Sequence, residues 1–172
     1  ALQQSLEGLE RVTSIVRALK EFAHPGREGK APVDLNRLLQ NSLLVARNEW
    51  KYVADVVQDL DPDLPAVPCT EGSFNQVVLN LVINAAHAIR DVVGDSGRRG
   101  TIAVSTRRSG EWVEIRIADT GTGIPEAIRE RVFDPFFTTK GIGRGSGQGL
   151  AIARSIVVDK HQGDIRFETE IG

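Results

Sequence analysis

The 172-residue sequence has one cysteine, Cys69. A lone cysteine excludes an internal disulfide and a cysteine-ligated zinc site, and it agrees with a reducing compartment such as the cytoplasm. Aromatic residues are also scarce, at six Phe, two Trp and one Tyr, so a cluster of them is informative. No uninterrupted apolar stretch approaches the ~20 residues that span a bilayer, and no charged start leading into an apolar run marks a signal peptide. The expectation is a soluble piece with no direct membrane contact, although a longer parent could be anchored elsewhere. Charge of one sign is missing too: 21 Lys and Arg stand against 23 Asp and Glu, a net charge of −2. Nothing in that balance nominates a nucleic-acid partner.

What is present is an ordinary globular composition, 41% hydrophobic and 26% charged, enough for the core of one average domain with a small appendage. The appendage comes first. Leu2, Leu6, Leu9, Val12, Val16, Leu19 and Ala23 recur in steps of three and four and lie on one helical stripe. Pro25-Gly26 stops that helix and starts a polar connector. A lone helix with so broad an apolar face needs a partner, and the seven-residue spacing of Leu2, Leu9, Val16 and Ala23 favours a helical bundle. The boundary divides residues 1–26 from 27–172.

After the connector, Asp34 is placed to cap a helix running to about Trp50, and "YVADVVQDL" reads as a strand closed by the Pro-rich "DPDLPAVP". In "TEGSFNQVVLNLVINAAHAIRDVV", Ser73 and Gln76 fit a reciprocal cap at the start of a long, largely buried helix. "TIAVSTRR" and "EWVEIRIAD" are strands joined through Ser109-Gly110 as a hairpin. A Gly-rich stretch with a short helix near 125–131 follows, then a helix at about 148–160 and a last strand, "DIRFETEI". Strands mixed with three long helices predict an α+β, two-layer sandwich with helices on one face of a mixed sheet.

Four short stretches carry candidate chemistry. Asn80, Asn84 and His87 fall along one side of the long helix. Burying two carboxamides among aliphatics costs roughly 1–3 kcal/mol each without partners, so they bond inside the fold or face a polar ligand. "IADTGTGIP" ends a strand with an acid and two glycines, the signature of a tight turn or of a site. "RVFDPFFTTK" gathers Phe133, Phe136 and Phe137 around Asp134-Pro135, an aromatic plug that suits a loop packed on the sheet edge. "KGIGRGSGQGLAIARSIV" has glycine at every second residue from Gly141 to Gly149 and then becomes helical. It reads either as a flexible linker or as a loop whose free amides reach an anion at a helix start.

The ordered set "NQVVLNLVINAAHAI", "DTGTGI", "FDPFFTTK" and "GSGQGLAIARSIV" resembles the N, G1, F and G2 boxes of the ATP-binding catalytic domain of two-component sensor histidine kinases. That domain is a member of the gyrase, Hsp90, histidine kinase and MutL superfamily. The likeness covers residues 31–172, and "FDPFFTTK" suggests the nitrogen-regulation-like branch. "LQQSLEGLERVTSIVRALKEFAHP" resembles the end of the second helix of the family's dimerisation and phosphoacceptor domain. The fold implied is the Bergerat ATP-binding sandwich, a mixed sheet covered by three helices and preceded by one bundle helix.

The resemblance implies roles residue by residue. Asp119 reads the adenine amino group, while Gly121, Gly123 and Ile124 form the turn beneath the ring. Asn84 supplies an oxygen to Mg2+, a hard ligand for a hard ion, and Asn80 orients that arrangement. Relatives that hydrolyse ATP carry glutamate at the position of Asn80; an amide cannot take a proton from water, so hydrolysis should be slow. His87 stands where many relatives have Lys or Arg near the phosphates, with Arg90 or Lys140 to compensate. The ATP lid runs from about Gly123 to Gly147, anchored by Phe133 and Phe137 and continuing through Thr138, Thr139 and Lys140. Gly145, Ser146, Gly147, Gly149 and Leu150 then present the loop and helix start to the phosphates of ATP or ADP. Asn80, Asn84 and Lys140 make up the implied catalytic set.

The implied reaction is transfer of the γ-phosphoryl group to a histidine on the bundle and then to an aspartate of a response-regulator receiver domain. A homodimer through the N-terminal helix is implied in the full-length protein. The family's acceptor is a helical His followed by an acid, but here His24 precedes Pro25, His87 precedes Ala88 and His161 precedes Gln162. The acceptor is therefore expected outside this chain, and the final strand of the domain beyond Gly172. Two rival readings are an ATPase clamp of the gyrase or Hsp90 kind, disfavoured by Asn80, and a non-catalytic nucleotide-binding scaffold that docks a regulator.

Overall fold

The computed structural model describes residues 29–139 and 147–171. The expected bundle helix at 1–26 lies outside the described residues, as do Lys140, Gly145 and Ser146. In chain order the elements are β1 (Ala31–Val33), α1 (Leu35–Val45), α2 (Arg47–Trp50), β2 (Ala54–Asp59), β3 (Val67–Cys69), α3 (Glu71–Val93), β4 (Gly100–Ser109), β5 (Trp112–Asp119), a 3-10 helix at Glu126–Arg131 and α4 (Gly149–Arg154). The helical path of α4 continues as a wider π turn over Ser155–Lys160.

β2, β4 and β5 form a mixed sheet in the order β2-β4-β5, with β2 parallel and β5 antiparallel to β4. The β4–β5 hairpin turns where Ser109-Gly110 predicts it, with Ser109 opposite Trp112. A second, two-stranded ladder joins β1 to β3. The expected α+β sandwich is therefore present. Alternation decides which face of the sheet is buried: Ile102, Val104 and Thr106 of β4 point inward between exposed or half-exposed neighbours. Against them pack Leu35, Leu38, Leu39 and Leu43 of α1 and Val78, Val82, Ala85, Ala86 and Ile89 of α3. Each fully buried aliphatic side chain contributes about 1.5–3 kcal/mol of transfer free energy.

Asp34 caps α1 as its sequence predicts, accepting a bond from the Arg37 N–H at 3.1 Å. Buried polar groups in this layer are paired. Ser42 donates to Asn75 Oδ1 at 3.1 Å, and Thr106 donates to Asn36 Oδ1 at 2.8 Å while accepting from the Asp61 N–H.

Two expectations are corrected. The reciprocal Ser73–Gln76 cap does not form, because α3 already starts at Glu71 with Thr70 at its N-cap position. Ser73 thus lies inside the first turn. "DIRFETEI" forms no strand. Its recorded attachments use side chains instead of a backbone ladder: Arg116 bonds Glu168 at 3.1 Å, and Thr169 Oγ1 accepts from the Ile124 N–H at 2.8 Å.

Candidate functional site

Helix α3 is the floor on which the separate motifs meet. Asn80, Asn84 and Ala88 are spaced by four residues and so lie along one side of it. At one end Asn80 Nδ2 donates to the Gly149 carbonyl at 3.1 Å, which joins α3 to the first residue of α4. At the other end Ala88 sits directly under Gly121. A Cβ on Gly121 would stand 2.7 Å from the Ala88 carbonyl carbon and overlap its methyl group. Only a residue without a side chain fits there. Asn84 lies between these two contacts, and the eight-residue span from Asn80 to Ala88 is about 12 Å of helix. Two anchor points that far apart suit a molecule with one end at the β5 turn and the other at the head of α4.

Asp119 ends β5, opposite Ile102 of β4. Its Oδ1 accepts the Gly121 N–H at 2.8 Å, a local bond that folds the turn back on the carboxylate. The side chain stays solvent-accessible. The surrounding protein nevertheless raises the Asp119 pKa by desolvation, and the Gly121 N–H opposes that rise. The carboxylate has acceptor capacity left beyond the Gly121 bond, which suits an amine donor.

The turn beyond it is held from several sides. Thr120 N–H donates to the Thr101 carbonyl, and its hydroxyl accepts the Thr101 N–H at 2.9 Å. Gly123 has φ +68° and lies against the Glu170 carbonyl, where no Cβ has room. Ile124 donates its N–H to Thr169, and its carbonyl accepts from Arg129 Nε at 3.2 Å. Sequence reading found the glycines of this turn but not Ala88, Arg129 or Thr169, whose partners are supplied by the fold.

The aromatic loop is held by a tilted ring pair and two guanidinium–ring contacts. Phe133 lies 6.0 Å from the ring of Phe167 and carries the Arg154 guanidinium 5.5 Å from its own centroid. The Arg131 guanidinium lies 4.5 Å from the Phe137 ring centroid, and Arg131 also pairs with Asp134 at 3.7 Å. Phe136 is the exception in the plug, at φ +63° and 72% exposed. Gly147, at φ +65°, comes so close that an added Cβ would stand 2.5 Å from the Phe136 carbonyl carbon. The chain before Thr138 and Thr139 and the chain entering α4 through Gly147, Gly149 and Leu150 therefore converge beside Asn80.

His87 Nε2 lies 3.8 Å from Glu49 Oε2, and Arg90 Nη2 donates to the Glu49 carbonyl at 3.1 Å, so both engage α2. Among the described residues no group of three or more His, Cys, Asp or Glu could hold a metal. A cation at this site would take its ligands from a bound anion and water with an amide oxygen such as that of Asn84, a donor set that fits Mg2+.

Comparison with known proteins adds an independent line. The family model described as histidine kinase-, DNA gyrase B-, and HSP90-like ATPase matches residues 69–172. The chain is 33% identical over 163 residues to the signal transduction histidine-protein kinase AtoS of Escherichia coli K12, covering 94% of this chain and 25% of AtoS. It thus spans about a quarter of that relative's length. Among solved structures, the nucleotide-free catalytic domain of the histidine kinase ThkA superposes with a TM-score of 0.66 at 29% identity, covering 78% of this chain and 85% of that one. ThkA in complex with the response regulator protein TrrA gives a TM-score of 0.61 at 26% identity, over 95% of this chain and 46% of that one.

Proposed function

Because this chain belongs to the family of histidine kinase-, DNA gyrase B-, and HSP90-like ATPases, we propose that it binds Mg2+–ATP across α3 and delivers the γ-phosphoryl group to a histidine of its parent protein. The observation that carries the proposal is the convergence of two distant segments on one side of α3, with Gly121 seated on Ala88 and Gly149 bonded to Asn80. In this reading Asp119 accepts the adenine amino group, and Gly121, Gly123 and Ile124 form the wall beneath the ring. In the same reading Thr138, Thr139, Gly147, Gly149 and Leu150 line the phosphate end, and the family resemblance assigns Lys140, Gly145 and Ser146 to it as well. Mg2+, held in part by Asn84, would neutralise phosphate charge.

The chain's own contribution to phosphoryl transfer is positioning. Asn80 spends its amide N–H on Gly149 and offers no group to deprotonate water, which favours transfer to a side chain over hydrolysis. His87 and Arg90 act through their hold on α2, and the phosphate-side positive charge falls to Lys140. Residues 1–26 are proposed as the second helix of a dimerisation bundle. A response-regulator receiver domain is the proposed final acceptor, as the ThkA–TrrA assembly suggests.

Calorimetry with ADP tests the site. Asp119→Asn should weaken binding about 100-fold, the scale of a lost hydrogen bond to a charged group; equal affinity in that variant overturns the adenine assignment. Labelled ATP with a separately made acceptor-helix domain tests the reaction. Histidine labelling supports the kinase, whereas rapid phosphate release without labelling makes the chain an ATPase clamp.

A further inference from the structure

His161 takes no part in the site above, yet its ring is fully engaged. The Thr70 N–H donates to Nε2 at 3.0 Å, Nδ1 lies 2.7 Å from the Ile156 carbonyl, and the ring meets Phe74 edge-on at 5.4 Å. An amide N–H can only donate and a carbonyl can only accept. Both bonds therefore form with one species, the neutral imidazole carrying its proton on Nδ1.

The partners belong to different elements. Thr70 is the N-cap residue of α3, and Ile156 lies in the π turn that continues α4. At the far end of the same helical path, Asn80 of α3 bonds Gly149, the first residue of α4. The 149–161 segment thus runs antiparallel to the first turns of α3 and is pinned by a directional polar bond at each end. Between the pins the packing is aliphatic: Val77, Ala153 and Ile156 are buried, with Leu81, Ile152, Val157 and Ile165 partly buried against them. Aliphatic contacts of that kind tolerate sliding along a helix, whereas hydrogen bonds do not.

We propose that His161 is a positioning residue for the nucleotide site: by bonding Thr70 and Ile156 together it fixes the axial register of α4 against α3, and so sets where Gly149 and the chain before it stand relative to Asn80. The proposal rests on the nucleotide-binding reading and adds to it a residue at the far end of α4.

The test uses three substitutions in the 172-residue chain and measures ADP affinity well below the unfolding temperature. His161→Phe keeps a ring against Phe74 and removes both bonds; it should raise the Kd about tenfold and shift the NMR signals of the Asn80 carboxamide and the Gly149 amide. His161→Gln reaches the Nε2 position and can still accept from Thr70, whereas His161→Asn can replace only the Nδ1 donor. The glutamine variant should recover most of the affinity and the asparagine variant should not. A folded His161→Phe protein that binds ADP like the wild type overturns the proposal, and so does rescue by Asn without rescue by Gln, which would reduce His161 to a helix cap. If His161→Phe does not fold, the Gln and Asn pair decides alone. Wild-type protein that fails to bind ADP would instead sink the nucleotide-binding reading itself.

Discussion

The two faces of α3 are packed by different means. Toward the sheet and α1, Val78, Val82, Ala85, Ala86 and Ile89 meet Leu38, Leu39, Ile102 and Val104 in one continuous aliphatic layer. Toward α4, the buried set shrinks to Val77, Ala153 and Ile156, and the Asn80–Gly149 and Thr70–His161 bonds flank it. The first face removes much apolar area from water but carries little directional information. The second removes less area, and its hydrogen bonds specify position to within a few tenths of an ångström. Stability and site geometry therefore come from opposite sides of one helix. This division lets the face toward α4 be made of glycines, carboxamides and turns that would weaken a core.

The sharpest way to break that division is to cut one aliphatic side chain on each face. Leu39 is fully buried in the larger layer and Ile156 in the smaller. Leu39→Ala should cost about 3–5 kcal/mol in denaturant unfolding, and below the transition the folded protein should bind ADP as the wild type does. Ile156→Ala should cost about 2 kcal/mol, the low end of such truncations because few buried neighbours surround it, yet raise the Kd for ADP several-fold. If Leu39→Ala weakens binding and Ile156→Ala does not, the assignment of roles to the two faces is reversed.

Gly121→Ala tests the point where the two roles touch. The added methyl would overlap Ala88 and stand 2.6 Å from Asp119 Oδ1, so the turn must lift off α3. Overpacking of this kind costs about 1–3 kcal/mol, and displacement of Asp119 should weaken ADP binding about tenfold or more. A compensating Ala88→Gly change should restore part of both losses. A Gly121→Ala protein with wild-type affinity would show that the contact between turn and helix does not hold the carboxylate in place.

How much of this could be read from the sequence depends on how local each constraint is. Asp34 caps α1 through a residue three positions away, Ser109-Gly110 turns a hairpin between adjacent strands, and the period of α3 is written in its own aliphatics. The glycines at 121, 123 and 147 were visible as motif residues because a backbone that must touch another backbone leaves no choice of side chain. The short β1–β3 ladder was hidden by its prolines: Pro32 and Pro68 face each other in the register, and each reads as a breaker when taken alone. Ser73 and Gln76 gave the right motif in the wrong turn, since the helix start was set three residues earlier, with Thr70 in place of Ser73 at the N-cap position. The bonds from Thr70 to His161 and from Ile124 to Thr169 join residues 91 and 45 positions apart, and neither end carries a local mark of its partner. Residues 164–171 alternate like a strand but are tied down through Glu168 and Thr169 side chains.

The smallest expected effect separates binding from stability at a single residue. Desolvation raises the Asp119 pKa, and the Gly121 N–H only partly offsets it. The folded state therefore holds this proton to higher pH than the unfolded chain does. The sign follows: the contribution to stability is complete below the ordinary carboxylate pKa and is lost as pH rises through the raised folded value. Asp119→Asn mimics the neutral form and keeps an oxygen for Gly121, so at pH 7 it should melt slightly above the wild type, with the two curves merging near about pH 3, below the unperturbed value of roughly 3.9. The gap is small because the side chain is solvent-accessible. ADP affinity should run the other way, falling in the wild type as pH drops through the raised pKa, since a protonated carboxyl accepts an amine proton less well. Thermal unfolding and calorimetry across pH 3–8 measure both. An Asp119→Asn protein less stable than wild type at pH 7 would mean that the charged bond to Gly121 outweighs desolvation, and that the carboxylate belongs to the fold as much as to the ligand.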